Sequence, residues 1–400
     1  MYKFYCRSYQ RILQAASYFM PWRKPVLLEG KNSLARLPGF IKSKNVTTLL
    51  IVTDKGIASL GLMDALLSGL EKENLSFFVY DGTVPNPTID NVEEALRMYQ
   101  DNHCEAIIAF GGGSPMDCAK AVGARIARPR KSIMQMKGVF HVRKSLPPFF
   151  AIPTTAGTGS EATLASVISN PQTHEKFQID DTSLIPRYAV LDPLLTVGLP
   201  GNITATTGMD ALAHAVEAYI GNSNTRETKM LSRKAVNLIF QNIEKAYAQG
   251  NDLEARENML KASHYAGLAF TQAYVGYVHA IAHALGGTYG IPHGLAVATV
   301  LPHVLEFYGK SVHRRLAELA DVSGIGSPTD SSGQKAAQFI ETIKRLNKTM
   351  GIPEGFSVIN PQDIPLMAKR AYAEANPFYP VPRILSKQEL EMLFSIVRIQ

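Results

Sequence analysis

The pattern of apolar residues changes near residue 200, and this change constrains the fold more than any other feature of the chain. Before it, short apolar runs alternate with amphipathic stretches. After it, long Ala- and Leu-rich segments with helical spacing dominate. Alternating strands and helices imply parallel strand pairing with helical crossovers, whereas the second pattern is typical of an all-helical domain. The Pro- and Gly-rich segment LDPLLTVGLPGN separates the two patterns.

The spacing of apolar residues predicts individual elements on both sides of this boundary. In the first half we expect strands over 46–53, 76–80, 105–110, 148–153 and 188–191, with helices over 58–73 and 89–100. In the second half we expect helices over 205–219, 225–249, 254–273, 278–285, 312–320 and 333–350. A chain of 400 residues is long enough for two such domains.

The charge of the chain is concentrated at its N-terminus. Residues 1–28 contain five Lys and Arg and no acidic residue, so the formal net charge of +7 does not indicate a nucleic-acid surface. The segment lacks the apolar core and the small-residue cleavage site of a secretory signal, although a targeting peptide of another kind stays open. We interpret it as a basic arm packed on the body. No apolar run reaches the roughly 20 residues that span a bilayer, so we expect no membrane partner.

The three cysteines, Cys6, Cys104 and Cys118, follow no pairing pattern. Without a CxxC motif or a disulfide framework, a reducing compartment fits best, and we expect a cytoplasmic protein.

A triple-glycine turn follows the strand predicted over 105–110. Gly111–Gly113 would let the backbone approach a diphosphate, and the following helix would offer free N–H groups to it. Ser114 is expected as the N-cap, with Pro115 at the first helical position and Asp117 in the first turn. A strand–helix turn without a ligand could have the same sequence, because this is not the GxGxxG fingerprint.

Two further features favour a dinucleotide. The segment IPTTAGTGSEAT supplies hydroxyl groups beside glycines. Asp54 ends the first predicted strand, where a carboxylate can bind ribose hydroxyls and repel a 2′-phosphate, which favours NAD over NADP. An ordinary strand-end turn residue is the less favoured alternative for Asp54.

Five potential metal ligands lie in two short segments of the second half. Asp210 and His214 are four residues apart, so on a helix they point the same way. His279 and His283 repeat that spacing, and His293 follows a Gly- and Pro-containing loop. One such His alone would more often be structural, but two pairs and a third His predict a metal site. A carboxylate with imidazoles suits Fe²⁺ or Zn²⁺.

These segments together resemble the iron-containing alcohol dehydrogenase family. The matching motifs, in order, are GGGSPMDCAK, PTTAGTGSEAT, DPLLT, TGMDALAHAVEAY, AFTQAYVGYVHAIAHALGG and PHGLAVA. The resemblance implies a Rossmann-like α/β domain with a parallel sheet over residues 1–200 and an all-α metal-binding domain over residues 201–400. It also implies an active site in the cleft between them. We expect the protein to form a homodimer.

The resemblance assigns roles to single residues. The metal ligands would be Asp210, His214, His279 and His293, whereas His283 would be a catalytic cleft residue beside the nicotinamide. Cofactor contacts would come from Asp54, Asn86, Gly112, Gly113, Ser114, Thr154, Thr155, Thr163, Lys176 and Leu195. Ala165, Phe270 and Val275 would line the substrate pocket.

The expected reaction moves a hydride between a nicotinamide cofactor and a small primary or secondary alcohol, or its aldehyde or ketone. A bound ion lowers the hydroxyl pKa, and His283 is the candidate for relaying the proton. The alternatives are a glycerol dehydrogenase-like polyol enzyme that uses Zn²⁺ and a catalytically silent nucleotide-binding assembly protein. A dehydroquinate synthase-like lyase needs several Lys and Arg in its pocket, and the segments around Asp210 and His279 are poor in basic residues.

Overall fold

A computed structural model describes residues 1–173 and 175–399, and these divide into two compact units. Within the described residues, one unit is helical and consists of residues 1–20 and 199–399; the other is an α/β unit of residues 21–173 and 175–198. The sequence suggested a division at residue 200 with residues 1–28 in the α/β part. The first 20 residues instead belong to the helical unit, because helix α1 (Tyr2–Ser17) hydrogen-bonds to main-chain carbonyls near residue 380.

The α/β unit contains nine strands and five helices. The strands are β1 (Val26–Glu29), β2 (Thr48–Val52), β3 (Ser76–Tyr80), β4 (Ala106–Gly111), β5 (Gly138–Val139), β6 (Phe149–Pro153), β7 (Ala165–Ser169), β8 (Lys176–Asp180) and β9 (Tyr188–Leu191). The helices are α2 (Leu37–Lys42), α3 (Lys55–Ser59), α4 (Asp64–Lys72), α5 (Ile89–Asp101) and α6 (Gly113–Ala127). These counts refer to the described residues.

Six strands form one parallel sheet in the order β1-β9-β6-β4-β2-β3. A second, three-stranded sheet has the order β5-β8-β7, in which β7 and β8 are antiparallel. Since β2, β3, β4, β6 and β9 run in the same direction, the loops that follow them meet at one edge of the large sheet. In open parallel sheets, ligands bind at this carboxyl edge.

The large sheet is apolar on both faces, as its continuous hydrophobic strands require. Leu50 and Val52 of β2 pack in one hydrophobic cluster together with residues of α5 and α6. Leu49 and Ile51, which alternate with them, belong to a second cluster with residues of α2 and α4. Successive side chains of a strand point to opposite faces, so helices cover both sides of the sheet.

The helical unit contains nine helices after α1 within the described residues. They are α7 (Gly201–Ile220), α8 (Arg226–Ala248), α9 (Leu253–Ala273), α10 (Tyr277–Tyr289), α11 (His293–Tyr308), α12 (His313–Val322), α13 (Ser332–Thr349), α14 (Ile364–Ala375) and α15 (Lys387–Ile396). Helix α7 is buried along most of its length and packs against α8, α9 and α11. In residues 1–173 and 175–399, no helix combines the length and the hydropathy needed to cross a membrane.

Several elements differ from the sequence-based expectation. The helix expected over 58–73 is two helices, α3 and α4, separated by Gly61 at φ +68°. Helix α11 was not predicted; it contains Pro302, and proline normally argues against a helix interior. The short strands β1, β5, β7 and β8 and the helices α1, α14 and α15 were not predicted either.

The close packing of α7 predicts a strong effect of substitutions at Gly208. A Cβ atom there would lie 2.8 Å from both Ile243 Cδ1 and Met259 Cε. We expect Gly208→Leu to destabilise the protein by about 1–3 kcal/mol, because extra carbons would overpack this contact. Gly287→Leu is the matched control: it is also helical, but a Cβ there would meet nothing within 4 Å. Equal denaturation midpoints for the two variants would contradict the expectation.

Candidate metal and nucleotide sites

Three helices of the helical unit carry the predicted metal ligands. Asp210 lies in the middle of buried helix α7 and is only 2% exposed. His279 is in the first turn of α10, whose N-cap is Gly276. His293 is the first residue of α11, directly after the N-cap Pro292. Residues from distant parts of the sequence therefore meet because the three helices pack together.

The side chains of Asp210, His279 and His293 converge on one point. Asp210 Oδ1 lies 3.6 Å from His279 Nε2 and 3.5 Å from His293 Nε2. One ligand atom of each residue lies within 4.8 Å of the others. In a tetrahedral site with bonds of about 2.1 Å, ligand atoms are about 3.4 Å apart. The spacing observed here therefore suits a divalent ion.

Two polar atoms of this group are buried without a hydrogen-bond partner anywhere in the described part of the chain. They are Asp210 Oδ1 and His279 Nε2, which face each other. A buried carboxylate oxygen and ring nitrogen left without partners are energetically unfavourable. A cation between them would satisfy both atoms, so the residues present fit a metal ion.

His214, the fourth predicted ligand, lies beside this group and not within it. Its Nδ1 atom is 4.0 Å from Asp210 Oδ2. Its ring stacks on Phe270, with ring centroids 4.1 Å apart, and on His279, with centroids 4.4 Å apart. The structure thus brings three of the four predicted ligands together and places the fourth next to them.

The electrostatics of the group favour positive charge. Burial would raise the pKa of Asp210, but the neighbouring imidazoles hold it well below its usual range. Burial would lower the pKa of His279, yet the neighbouring carboxylates of Asp210 and Glu217 outweigh it and raise this pKa to about 9. For His293 burial dominates and lowers the pKa. Two buried carboxylates thus attract either protons or a metal cation to this point.

Glu217 is a functional residue that the sequence analysis missed. It is 3% exposed; its Oε2 atom lies 2.6 Å from His279 Nδ1, and its Oε1 accepts the backbone N–H of Val278 at 2.9 Å. A carboxylate can only accept, so His279 Nδ1 carries the proton and Nε2 is left for a metal. Glu217 is two helical turns after Asp210, and this spacing on one face of α7 could have indicated it.

The remaining predicted residues of this unit lie around the histidines. The ring of His283 stacks on that of His293 with centroids 5.2 Å apart, and its Nδ1 atom lies 2.8 Å from Glu374 Oε1. Phe270, near the end of α9, stacks on His214. Val275 is half-buried in the short connection between α9 and α10.

Eight of the ten predicted cofactor residues lie at the carboxyl edge of the large sheet of the α/β unit. They follow five different parallel strands, and this is where a dinucleotide would bind. Asp54 follows β2, Asn86 follows β3, Gly112, Gly113 and Ser114 follow β4, Thr154 and Thr155 follow β6, and Leu195 follows β9. The other two are Thr163, just before β7, and Lys176, which begins β8 of the smaller sheet. Ala165, a predicted pocket residue, begins β7.

Hydrogen bonds connect three of the predicted cofactor residues directly. The backbone N–H of Asn86 donates to Ser114 Oγ at 3.3 Å, and Lys176 Nζ donates to Asn86 Oδ1 at 2.8 Å. Glycine is favoured at the turn itself, because Gly111 has φ +147° and a Cβ there would lie 2.7 Å from Pro115 Cγ. Asn86, Ser114 and Lys176 therefore form one polar cluster beside the glycine turn.

Three expectations about the start of α6 were wrong. The N-cap of α6 is Gly112, which is extended, so Ser114 and Pro115 are the second and third helical residues. The hydroxyl of Ser114 accepts from the backbone N–H of Asn86. Asp117 consequently lies beyond the first turn of α6. The carboxylate of Asp54 caps α3 by accepting a hydrogen bond from the N–H of Ile57 at 2.9 Å. Asp54 therefore has the structural role at the end of the strand that the sequence analysis gave as an alternative to ribose binding.

Lys120 is a second residue that the sequence analysis missed. Its ammonium group is fully buried and donates to Thr163 Oγ1 at 2.9 Å and to the carbonyls of Thr163 and Ala165 at 2.9 and 3.0 Å. Burial lowers its pKa to about 8, although nearby carboxylates, first that of Asp117, oppose the shift. Burial also raises the pKa of Asp117 to about 6. Lys120 of α6 thus holds the segment that contains the predicted cofactor residue Thr163 by hydrogen bonds.

The contact of Glu217 with His279 predicts an effect on metal affinity. We expect Glu217→Ala to weaken metal binding about 10–100-fold, because His279 loses the acceptor that fixes its protonated nitrogen. Glu217→Gln keeps an acceptor oxygen and should lose less. Chelator competition measures the affinity, with Glu254→Ala at an exposed position of α9 as the control. Wild-type affinity in Glu217→Ala would refute the assignment.

The buried Lys120 network predicts an effect on stability. Lys120→Met leaves several buried oxygens without a donor, and Asp117 without a neighbouring positive charge, so we expect a loss of about 3–5 kcal/mol. Thermal and denaturant unfolding measure this loss. The control is Lys72→Met, which removes an exposed ammonium at the end of α4. A Lys120→Met protein as stable as the control would show that the network is not structural.

Comparison with known proteins identifies the family. The family model described as iron-containing alcohol dehydrogenase matches residues 25–193, and that of the C-terminal part of the Fe-containing alcohol dehydrogenase family matches residues 204–397. The 1,3-propanediol dehydrogenase of Klebsiella pneumoniae is 39% identical over 349 residues, which are 86% of this chain and 90% of the relative.

Solved structures agree with these matches. A crystal structure of 1,3-propanediol oxidoreductase superposes with a TM-score of 0.90 at 36% identity, covering 94% of this chain and 98% of that one. The sulfoacetaldehyde reductase of Bifidobacterium kashiwanohense, solved in complex with NAD⁺, superposes with a TM-score of 0.84 at 28% identity and covers 94% and 99%. The chain therefore belongs to the iron-containing alcohol dehydrogenase family.

Proposed function

We propose that this oxidoreductase transfers a hydride between NAD and a small primary or secondary alcohol, or the corresponding aldehyde or ketone. The observation that carries the proposal is the convergence of Asp210, His279 and His293, with two buried atoms that no described residue satisfies. Family membership favours this reaction over a lyase and over a catalytically silent assembly protein.

We assign the divalent ion to Asp210, His279 and His293, with His214 as the fourth ligand. When bound, the ion polarises the oxygen of the alcohol or carbonyl group and stabilises negative charge there. Glu217 holds the ring of His279, and Phe270 holds the ring of His214 by stacking. The identity of the ion is proposed as Fe²⁺ from the family; Zn²⁺ fits the same donors. Elemental analysis of anaerobically purified protein distinguishes the two.

His283 is the proposed catalytic residue that moves the hydroxyl proton. Its Nδ1 atom is engaged by Glu374, so Nε2 is the atom that would accept the proton during oxidation and return it during reduction. An imidazole can do both near neutral pH. Ala165, Phe270 and Val275 are proposed to shape the substrate pocket, where a methylene group changes selectivity by about 1–3 kcal/mol.

NAD is proposed to bind at the carboxyl edge of the parallel sheet. The glycine turn after β4 offers backbone N–H groups to the diphosphate at the start of α6. Asn86, Ser114 and Lys176 form a polar cluster beside this turn, and Lys120 holds Thr163. The carboxylate of Asp54 would repel the 2′-phosphate of NADP, and this supports the preference for NAD.

The substrate class is proposed from the relatives and from the pocket residues. A relative named for 1,3-propanediol favours short alcohols and diols. A polyol such as glycerol with Zn²⁺ is the alternative. Following NADH absorbance with ethanol, 1,2-propanediol, 1,3-propanediol, butanol and glycerol separates these possibilities.

We also propose a homodimer in the cytoplasm. Cys6, Cys104 and Cys118 are buried and unpaired in the structure, and this supports a reducing compartment. Sedimentation of the purified protein tests the dimer, and fractionation of cells tests the location.

The proposed metal centre predicts separable losses in one variant. We expect His279→Ala to lose bound metal and turnover but to keep its affinity for NADH, because no predicted NAD residue lies in α10. Metal content, steady-state rates and NADH fluorescence titration measure these three properties. His303→Ala in α11 is the control, since the Nε2 atom of His303 is engaged by the carbonyl of Glu354 and is not one of the proposed ligands. Full metal content and turnover in His279→Ala would refute the metal centre.

A further inference from the structure

His283 is paired with a carboxylate that no sequence motif indicates. Glu374, in helix α14, places its Oε1 atom 2.8 Å from His283 Nδ1. The side chains are 30% and 33% exposed, so the pair is neither fully buried nor free in solvent. Side chains on separate helices at this distance restrict each other's rotamers.

The carboxylate of Glu374 is itself held in place. The hydroxyl of Tyr379 donates to the same Oε1 atom at 2.9 Å. Tyr379 is only 7% exposed, so its ring is fixed by packing. A carboxylate with a second donor rotates less freely than one bound to a single partner, and charge-assisted hydrogen bonds of this kind are the stronger ones.

This arrangement selects one tautomer of the imidazole. An ionised carboxylate accepts hydrogen bonds only, so the proton of neutral His283 must be on Nδ1. The lone pair is then on Nε2, the nitrogen assigned above to proton transfer. Without Glu374 the ring could carry its proton on either nitrogen and could turn about its side-chain bonds.

The N-terminal helix supports the segment that carries Tyr379. Gln10 of α1 donates from Nε2 to the carbonyl of Tyr379 at 2.8 Å and to that of Pro377 at 3.2 Å. Arg7 donates to the carbonyls of Val381 and Pro382 at 2.6 and 2.8 Å. Four carbonyls within six residues thus receive donors from one helix, which orders this irregular segment.

Helix α1 lies in a part of the chain that the family models do not match. The two family models match residues 25–193 and 204–397, so residues 1–24 lie outside both. Helix α1 contacts the 377–382 segment through the polar side chains of Arg7 and Gln10 and through the ring of Tyr9, which lies edge-on to Phe378 with ring centroids 5.5 Å apart. Hydrogen bonds and aromatic packing together therefore fix where the helix docks.

We propose that Glu374 is a positioning residue for His283, and that α1 acts as a brace for the segment whose Tyr379 holds Glu374. The chain of contacts runs from Arg7 and Gln10 through residues 377–382 to Glu374 and then to His283. The inference rests on the proposed role of His283 in proton transfer.

Substitutions of Glu374 test the first part. We expect Glu374→Ala to lower kcat at least about 10-fold, because His283 loses its fixed tautomer and orientation. KM for NAD and the metal content should stay as in the wild type. Glu374→Gln retains an acceptor oxygen and should recover part of the rate. Glu341→Ala, at an exposed position of α13, is the matched control.

A spectroscopic measurement separates positioning from a general structural effect. In zinc-loaded protein labelled with ¹⁵N-histidine, the wild-type shifts of His283, assigned with His283→Ala, should show a protonated Nδ1 and an unprotonated Nε2. In Glu374→Ala the two nitrogens should move towards averaged values. A wild-type tautomer and wild-type kcat in a folded Glu374→Ala protein would overturn the proposal.

A double-mutant cycle tests the brace. We expect the double variant Arg7→Ala/Gln10→Ala to lower kcat several-fold, and Tyr379→Phe to do the same. The triple variant should have a kcat only slightly below that of Tyr379→Phe, because all three changes act through the same contacts. The control replaces two exposed cations of the same helix, Lys3→Ala with Arg11→Ala. If the double variant does not fold, Gln10→Ala alone serves as the milder form. Fully additive losses of kcat, or an unchanged kcat in a folded variant, would show that α1 does not support Tyr379.

His283→Ala distinguishes failure of this inference from failure of the proposed function. If His283→Ala keeps most of the wild-type kcat, the proton-transfer role of His283 is wrong, and the inference falls with it. If His283→Ala loses activity but Glu374→Ala does not, only the positioning role is wrong.

Discussion

A carboxylate buried among imidazoles is the interaction on which the candidate site depends. Asp210 lies in the middle of α7 and is 2% exposed, so its charge has little access to water. Such a group is tolerated only with positive partners. The imidazoles of His279 and His293 face Oδ1 of Asp210. This oxygen and Nε2 of His279 have no hydrogen-bond partner among the described residues, so both could bind a cation. The packing of α7, α10 and α11 is therefore inseparable from the chemistry that these helices hold.

The two proposed sites are built from different kinds of structure. In the α/β unit, backbone groups and small side chains lie at the ends of parallel strands, where we propose that an extended cofactor binds, and Lys120 holds the adjacent segment by hydrogen bonds. In the helical unit, side chains from three helices meet at a point. Glu217, behind His279, and Glu374, behind His283, supply the acceptors that orient these rings.

Local sequence patterns predicted the parts of this structure that depend on local rules. The strands over 76–80 and 188–191 coincide with β3 and β9, and the four-residue spacings placed Asp210 and His279 on suitable helix faces. The helix break at Gly61 was not predicted because it depends on the positive φ of this glycine. Helix α11 was not predicted because it contains a proline, which normally indicates the end of a helix. Glu374 could not be predicted because its contact with His283 joins α14 to α10, and the sequence does not specify how these helices pack. The position of His214 depends on ring stacking with Phe270, which spacing along the chain does not reveal either.

The three proposed metal ligands Asp210, His279 and His293 lie on three separate helices, and this affects how long the protein would survive in a cell. An ion bound there would tie α7, α10 and α11 to one another, and an unfolded chain offers no such preformed site. Binding to the folded form alone adds to stability in proportion to the logarithm of the free ion concentration. Scarcity of the ion would then expose the helical unit to proteases more often, so cells short of metal would lose the polypeptide as well as its activity.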